Sequence, residues 1–425
     1  MSFRTLLTLA SLSFVTLSSP VVAADYVTDV AGYDGWTFIK NDDGSYSIFS
    51  VEASKIGESL VIPGTIKISG TDVSVSGVVS KDVSSTGNGV FYSATNLKTV
   101  TIESGIKTIG SNAFSGCSGL TKVKFNGVSH VESIGDYAFN GCTSLEKIAL
   151  PESVKVIGQS AFVNCSKLKT VSLPSTLTEI GACAFQFCSS LTTINFPEGL
   201  KSIGSMAFTN CVSLTSITIP GSVETIGQQA FKGCSKLTSV TIEDSETVTN
   251  RRIEQYAFSG VPISTITIPG SISVIENNAF ENCQELKTVV IGDGVGEIQG
   301  YAFGGCNTLL TVTFESTSID NLPSFENNTF TDWRISNGVA KLVPADDADY
   351  EFEVTNGVIT VKNKTTEVDP TEPTDPTDPT AIKKASVSAQ PVAYYSLTGA
   401  KLSAPRPGVV IAIYSDGSSS KFLVK

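Results

Sequence analysis

A chain of 425 residues that is 41% hydrophobic, carries a formal net charge of −12 and contains one histidine already narrows the field. So acidic a protein is a poor partner for nucleic acid or an anionic membrane surface. A single imidazole excludes chemistry or metal binding built on several histidines.

Residues 1–24 open with Arg4, continue in an apolar run from Leu6 to Leu17, and end with Val22 and Ala24 at the −3 and −1 positions before Asp25. That order is expected of a secretory signal peptide. The run is shorter than the roughly 20 residues a bilayer requires, so no transmembrane segment is expected. Residues 25–80, with WTFIKNDDGSYSIF and SLVIPGTIKI, read as a β-rich N-terminal cap merging into a degenerate repeat.

Residues 81–314 are ruled by internal repetition. Phe recurs at 91, 114, 139, 162, 185, 208, 231, 258, 280 and 303, mostly 23 residues apart. The cleanest unit is CVSLTSITIPGSVETIGQQAF, Cys211 to Phe231. In its LxxLxL half, Leu214 leads into a short strand in which Ile217 and Ile219 face one way and Ser216 and Thr218 the other. Pro220 and Gly221 end that strand, because proline cannot donate to a ladder. The second half, from Val223 through Ile226 to Ala230 and Phe231, predicts irregular or 3₁₀-like turns. One unit buries about seven apolar side chains at roughly 1.5 to 3 kcal/mol each. Its backbone ordering costs about 1 to 2 kcal/mol per residue. A single unit therefore cannot fold, and stacking with special end caps is required.

Eight of the nine cysteines lie three residues after a landmark Phe, and Ala94 and Val261 fill the same register elsewhere. The position calls for a small buried side chain, with cysteine acting as a compact hydrophobe and weak donor. A disulfide framework is the alternative in an exported chain. Cys183 is off register and is expected to be partly exposed.

No phosphate-binding loop, dinucleotide fingerprint, HExxH or calcium-loop pattern occurs, and no catalytic residue, cofactor or metal site is assigned. His130 sits in a two-residue insertion and reads as solvated. The informative feature is the outward side of the LxxLxL strands, a Thr and Ser ladder with a basic patch near its N-terminal end. The candidate binding surface comprises Lys122, Lys124, Lys147, Thr170, Thr193, Asn195, Thr218, Thr241 and Thr267. Arg251 and Arg252 join it from the insertion at residues 243–255, expected as an exposed loop.

Residues 315–364 read as a closing cap. Residues 365–380, TTEVDPTEPTDPTDPT, form an acidic Pro/Thr linker that is stiff and solvated. Residues 381–425 alternate apolar and polar positions around Thr398-Gly399, Pro407-Gly408 and Asp416-Gly417, which predicts a small C-terminal β domain.

The runs IGSNAFSGCSGLTKVKF, IGDYAFNGCTSLEKIALP and IGSMAFTNCVSLTSITIP resemble the BspA-type leucine-rich repeats of bacterial surface proteins, over about residues 50 to 345. The resemblance implies a mainly β, right-handed leucine-rich repeat solenoid of about ten 23-residue turns. It also implies secretion and, often, adhesion to host matrix proteins or other bacteria, and it offers no catalytic residues. The turn at Phe258 departs from the pattern, with GVPIS for the usual GCxxL. Tyr395, Leu397, Gly399, Gly408, Ile411, Ile413, Lys421, Val424 and Lys425 resemble the C-terminal sorting domains of Bacteroidetes, implying an outer-membrane export machinery as partner. The expectation is a secreted or cell-surface, non-enzymatic protein that binds a host matrix protein, glycan or bacterial surface component. A purely structural surface spacer is the alternative, and a glycan-active enzyme, needing two clustered carboxylates, a distant one.

Overall fold

The structure is a computed structural model that describes residues 26–79 apart from 29, 89–315 apart from 310, and 323–325, with backbone strands at 350–355, 358–363, 391–396, 401–402, 408–414 and 419–424. The expected signal segment 1–24 and the expected linker 365–380 lie outside the described residues. The fold is mainly β, a parallel solenoid in which the ten landmark phenylalanines mark successive coils.

Each coil presents its LxxLxL strand to a first row. Ser59–Ile62, Thr99–Ile102 and Lys122–Phe125 form one three-stranded parallel sheet, and Lys147–Ala149 pairs with Thr170–Ser172. Single bridges at Thr193 carry the row to Ser216–Ile219 and Ser239–Ile242. Thr265–Ile268, Thr288–Ile291 and Thr311–Phe314 continue it. Pairing is in register, so Ile217 faces Val240 and Thr218 faces Thr241. In Ser216–Ile219 the serine and threonine are exposed and both isoleucines buried, as period-two alternation demands. The row ends in an antiparallel pair, Val358–Asn363 on Thr311–Phe314 and Tyr350–Thr355 outside it. Farther along, Pro391–Ser396, Lys401–Leu402, Gly408–Tyr414 and Ser419–Val424 form a four-stranded antiparallel sheet.

A second sheet runs the length of the solenoid; its first strands belong to the cap read as β-rich, but those of the coils were not legible as strand. It starts with Tyr26–Val27, Trp36–Lys40, Tyr46–Val51 and Thr71–Val78, then takes one short strand per coil, among them Thr108–Ile109, Glu179–Ile180, Ser202–Ile203 and Thr225–Ile226. A two-residue strand has too few positions to show alternation. It exists because the coils above and below supply its ladder partners, Ser202 opposite Thr225 and Ile203 opposite Ile226.

Between this sheet and the landmark Phe the expected 3₁₀-like turns are half realised. Ala207, Thr209 and Cys211 each donate to the carbonyl three residues back, whereas the intervening amides of Met206, Phe208 and Asn210 donate to Gln228, Ala230 and Lys232 of the next coil at 2.7, 2.8 and 2.9 Å. Left-handed residues, Met206 at φ 57° and Asn210 at φ 61°, prevent helical winding and turn alternate amides toward the neighbouring coil. Nearly every backbone donor of the turn is thereby used, half of them between coils.

Contact between coils also explains the Ile-Gly step of the repeat. A Cβ at Gly204 would lie 2.6 Å from the Ala182 nitrogen and the Gly181 carbonyl carbon of the preceding coil, so only glycine permits the approach.

The core is one continuous column. Rings from Phe91 to Phe303 stack at centroid distances of 5.1 to 5.3 Å with planes within 11° of parallel. Trp36 closes its N-terminal end, its ring meeting Phe91 edge-on at 6.0 Å. A central ring has a partner on both faces, so Phe208→Ala is expected to destabilise the solenoid by about 3 to 5 kcal/mol, and Phe208→Leu by less. Urea unfolding of both variants checks this, and equal effects would contradict a stacked column.

Candidate binding surface

The first row presents its outward side chains to solvent. Lys122, Lys124, Lys147, Thr170, Thr193, Asn195, Thr218, Thr241 and Thr267 are all exposed and lie on this one row. Alternation within each strand and register between coils put them there. They separate into two places with different chemistry and a plain hydroxyl row beyond, where Thr241 and Thr267 sit.

The first place is basic. Lys122 and Lys124 project from one strand, in register with Thr99 and Thr101 of the strand before, and Lys147 from the next coil, in register with Thr170 of the coil after. The second is a depression of about 250 Å³ lined by Thr193, Asn195 and Thr218 together with Glu198, Ser216 and Pro220, with Ile194, Phe196 and Ile217 beneath. It coincides with the stretch where the row thins to the single bridges of Thr193. Phe196 lies beneath it, in the register of Ile219 of the next coil. Its ring packs edge-on against Phe208 at 5.6 Å and Phe231 at 6.5 Å. Glu198, Ser216 and Pro220 were not among the candidate binding residues read from the sequence.

The insertion is an exposed loop over residues 243–250, as expected, but it ends in a strand and the two arginines do not join this surface. Arg251 is buried, at 1% exposure, in the strand Arg251–Ile253 of the second sheet. Its guanidinium donates to the carbonyls of Val223 at 2.8 Å, Glu243 at 2.6 Å and Pro220 at 3.2 Å, and to the Ser271 hydroxyl at 2.9 Å. The insertion disturbs the coil and the register shifts at Arg251/Arg252. Five fixed N–H donors satisfy the carbonyls exposed by that disturbance. Arg252 is exposed but lies on the second sheet, where it pairs with Glu276 at 2.6 Å. His130 is exposed, as read.

Comparison with known proteins places this geometry. The profile of the BspA type leucine-rich repeat region matches in six copies, across residues 84–215, 164–284 and 201–336, which is more than half of the chain. The chain belongs to the BspA-type leucine-rich repeat family. A leucine-rich repeat protein from Bacteroides ovatus, 24% identical, aligns over 71% of this chain and 78% of that one with a TM-score of 0.52, and so shares the fold. The T. pallidum leucine-rich repeat protein is 27% identical over 52% of this chain and 90% of its own, with a TM-score of 0.40. A leucine-rich cell surface protein from Faecalibacterium prausnitzii is 25% identical over 70% of this chain and 96% of its own, with a TM-score of 0.31. No curated protein matches the chain.

In this BspA-type array the cysteine ladder consists of free thiols. Each registered thiol donates to the carbonyl of the landmark Phe one coil back, as Cys211 does to Phe185 at 3.2 Å and Cys234 to Phe208 at 3.2 Å. Ala94 and Val261 occupy the same buried register. Cys183 stands instead at a left-handed turn position, φ 56°, and is half-buried. Burial pushes the Cys117, Cys165 and Cys234 thiols up to about 12. It also drives Cys142, Cys188 and Cys211 well above the ordinary thiol value, with neighbouring thiols adding to the effect. These raised values mean that the folded state keeps its protons while unfolded thiols ionise near about pH 8.5. The stabilisation is complete below about pH 8.5 and declines above it, by up to about 1.4 kcal/mol per pH unit for each thiol.

Two outcomes are expected. The urea midpoint falls steadily between about pH 8 and 9.5, and less steeply in Cys211→Ala; a flat profile would contradict burial of the ladder. Arg251→Met, which removes the guanidinium donors from the carbonyls of Val223, Glu243 and Pro220, destabilises by about 2 to 4 kcal/mol, whereas Arg252→Met changes stability by less than about 1 kcal/mol. Equal effects in thermal unfolding would return Arg251 to the surface.

Proposed function

We propose that this protein is an exported, non-catalytic binding protein of the cell exterior that engages an extracellular ligand through the outward side of its first strand row. One observation carries the reading: a row of Thr, Ser and Lys side chains crosses successive coils exposed, while the rest of each unit is committed to the core or to contacts between coils. A purely structural solenoid needs only polar character there. The lysine group departs from the repeat, and the depression lies where the row thins to single bridges at Thr193; the core requires neither. Among the described residues no group of three or more His, Cys, Asp or Glu is placed to hold a metal ion, and no helix is long and apolar enough to cross a membrane.

The signal-like segment 1–24 supports export. In this reading the C-terminal segment 381–425 is the part that outer-membrane export machinery recognises, and the ligand is a host matrix protein, a glycan or a component of another bacterial surface. A structural spacer is the competing reading.

The test uses the chain from residue 25 onward, probed against immobilised matrix proteins, glycans and bacterial cells, beside a Thr193→Glu, Asn195→Glu, Thr218→Glu triple variant and a Lys122→Gln, Lys124→Gln, Lys147→Gln triple variant. The proposal expects binding that weakens at least tenfold in one of the two. Binding undiminished in both would move the site off the first row, and no binding across the panel would favour the spacer. Turnover of any panel glycan would overturn the non-catalytic assignment.

A further inference from the structure

The three outward lysines identify the chemistry of a ligand more closely than the hydroxyl row does. Lys122 and Lys124 are exposed on the strand Lys122–Phe125, and Lys147 takes the place of Lys122 one coil later. Lys122 and Lys124 point the same way, two residues apart on one strand. Lys147 follows across a break in the row, since Lys122–Phe125 and Lys147–Ala149 belong to separate sheets. At the register of Lys122 and Lys147 the other coils of the row hold Thr or Ser, for example Thr99, Thr170 and Ser216.

Two lysines of the following coils are compensated: Lys155 pairs with Glu132 at 3.0 Å, and Lys169 with Glu146 at 3.1 Å. Glu146 directly precedes Lys147, yet its carboxylate is engaged by Lys169. Among the described residues no ion pair includes Lys122, Lys124 or Lys147. In a protein of net charge −12 this is a local concentration of unneutralised positive charge.

We infer that Lys122, Lys124 and Lys147 are the recognition point for an anionic glycan, a polysaccharide bearing repeated sulfate or carboxylate groups. The inference deepens the binding reading above and rests on it. Charge complementarity selects a polyanion, and the surroundings select its type. On either side of the lysines the row continues in hydroxyls, Thr99 and Thr101 before and Thr170 and Ser172 after. The face carries no Trp, Tyr or Arg anchor of the kind that dominates protein interfaces. Lysine ammoniums are compact charges on flexible stems, suited to spaced anionic groups rather than to one bidentate carboxylate. Hydroxyl donors and acceptors beside them suit a hydroxyl-rich chain.

Heparin serves as the sulfated, carboxylated probe, with neutral dextran and poly-glutamate as comparisons, against the chain from residue 25 onward. The expected result is saturable heparin binding that weakens with salt, no dextran binding, and much weaker poly-glutamate binding. Lys122→Gln, Lys124→Gln, Lys147→Gln should reduce heparin affinity at least tenfold with an unchanged melting temperature. Lys201→Gln, beside the second sheet, should leave it unaltered. Poly-glutamate bound as tightly as heparin would replace the glycan with an acidic polypeptide. Absent heparin binding, or binding indifferent to the triple variant, would overturn the inference. Panel binding that is lost in the Thr193, Asn195, Thr218 variant would in that case leave the broader binding reading standing.

Discussion

Every feature of this molecule answers to the distance between one coil and the next. One continuous parallel ladder and a second, interrupted one hold successive backbones at about the usual strand spacing of 4.8 Å, and a column of phenylalanine rings fits the same repeat at 5.1 to 5.3 Å. Glycine follows the repeat isoleucine where that distance leaves no space for a Cβ. The cysteine register is small because its side chain lies against the carbonyl of the preceding landmark Phe. No coil meets these conditions alone, so each is stable only as a member of the stack.

Much of this was readable because the core repeats at fixed register. The Phe column, the small buried position after it, and the inward and outward sides of the LxxLxL strands all follow from spacing. What escaped depends on neighbours. The Ser202–Ile203 strand is too short to announce itself and is defined by Glu179–Ile180 and Thr225–Ile226 on either side. The left-handed residues were hidden for a different reason. Met206, Gln229 and Tyr256 are not residues that favour positive φ, and ladder hydrogen bonding between coils holds them there. Arg251 misled because a charged residue in an insertion ordinarily points outward, while here disturbed carbonyls drew it in.

The same regularity sharpens the functional argument. When a position recurs in coil after coil, a departure from its usual residue is visible without any second sequence. Three lysines in a hydroxyl row are such a departure, and they fall on the exposed first row. The Arg251 insertion is a second, but its consequences are absorbed within the fold. Departures that face solvent therefore carry the binding proposal, and the one that faces inward carries stability.

The central claim, that coils are stable only through their stack, is tested most directly by native-state hydrogen exchange at the landmark phenylalanine amides from Phe91 to Phe280, each of which donates to an alanine carbonyl of the next coil. The account predicts that Phe162, Phe185 and Phe208 exchange slowest, with shared opening free energies, and that protection declines toward Phe91 and Phe280. Low and independent protection at the central amides, no greater than at the ends, would contradict it.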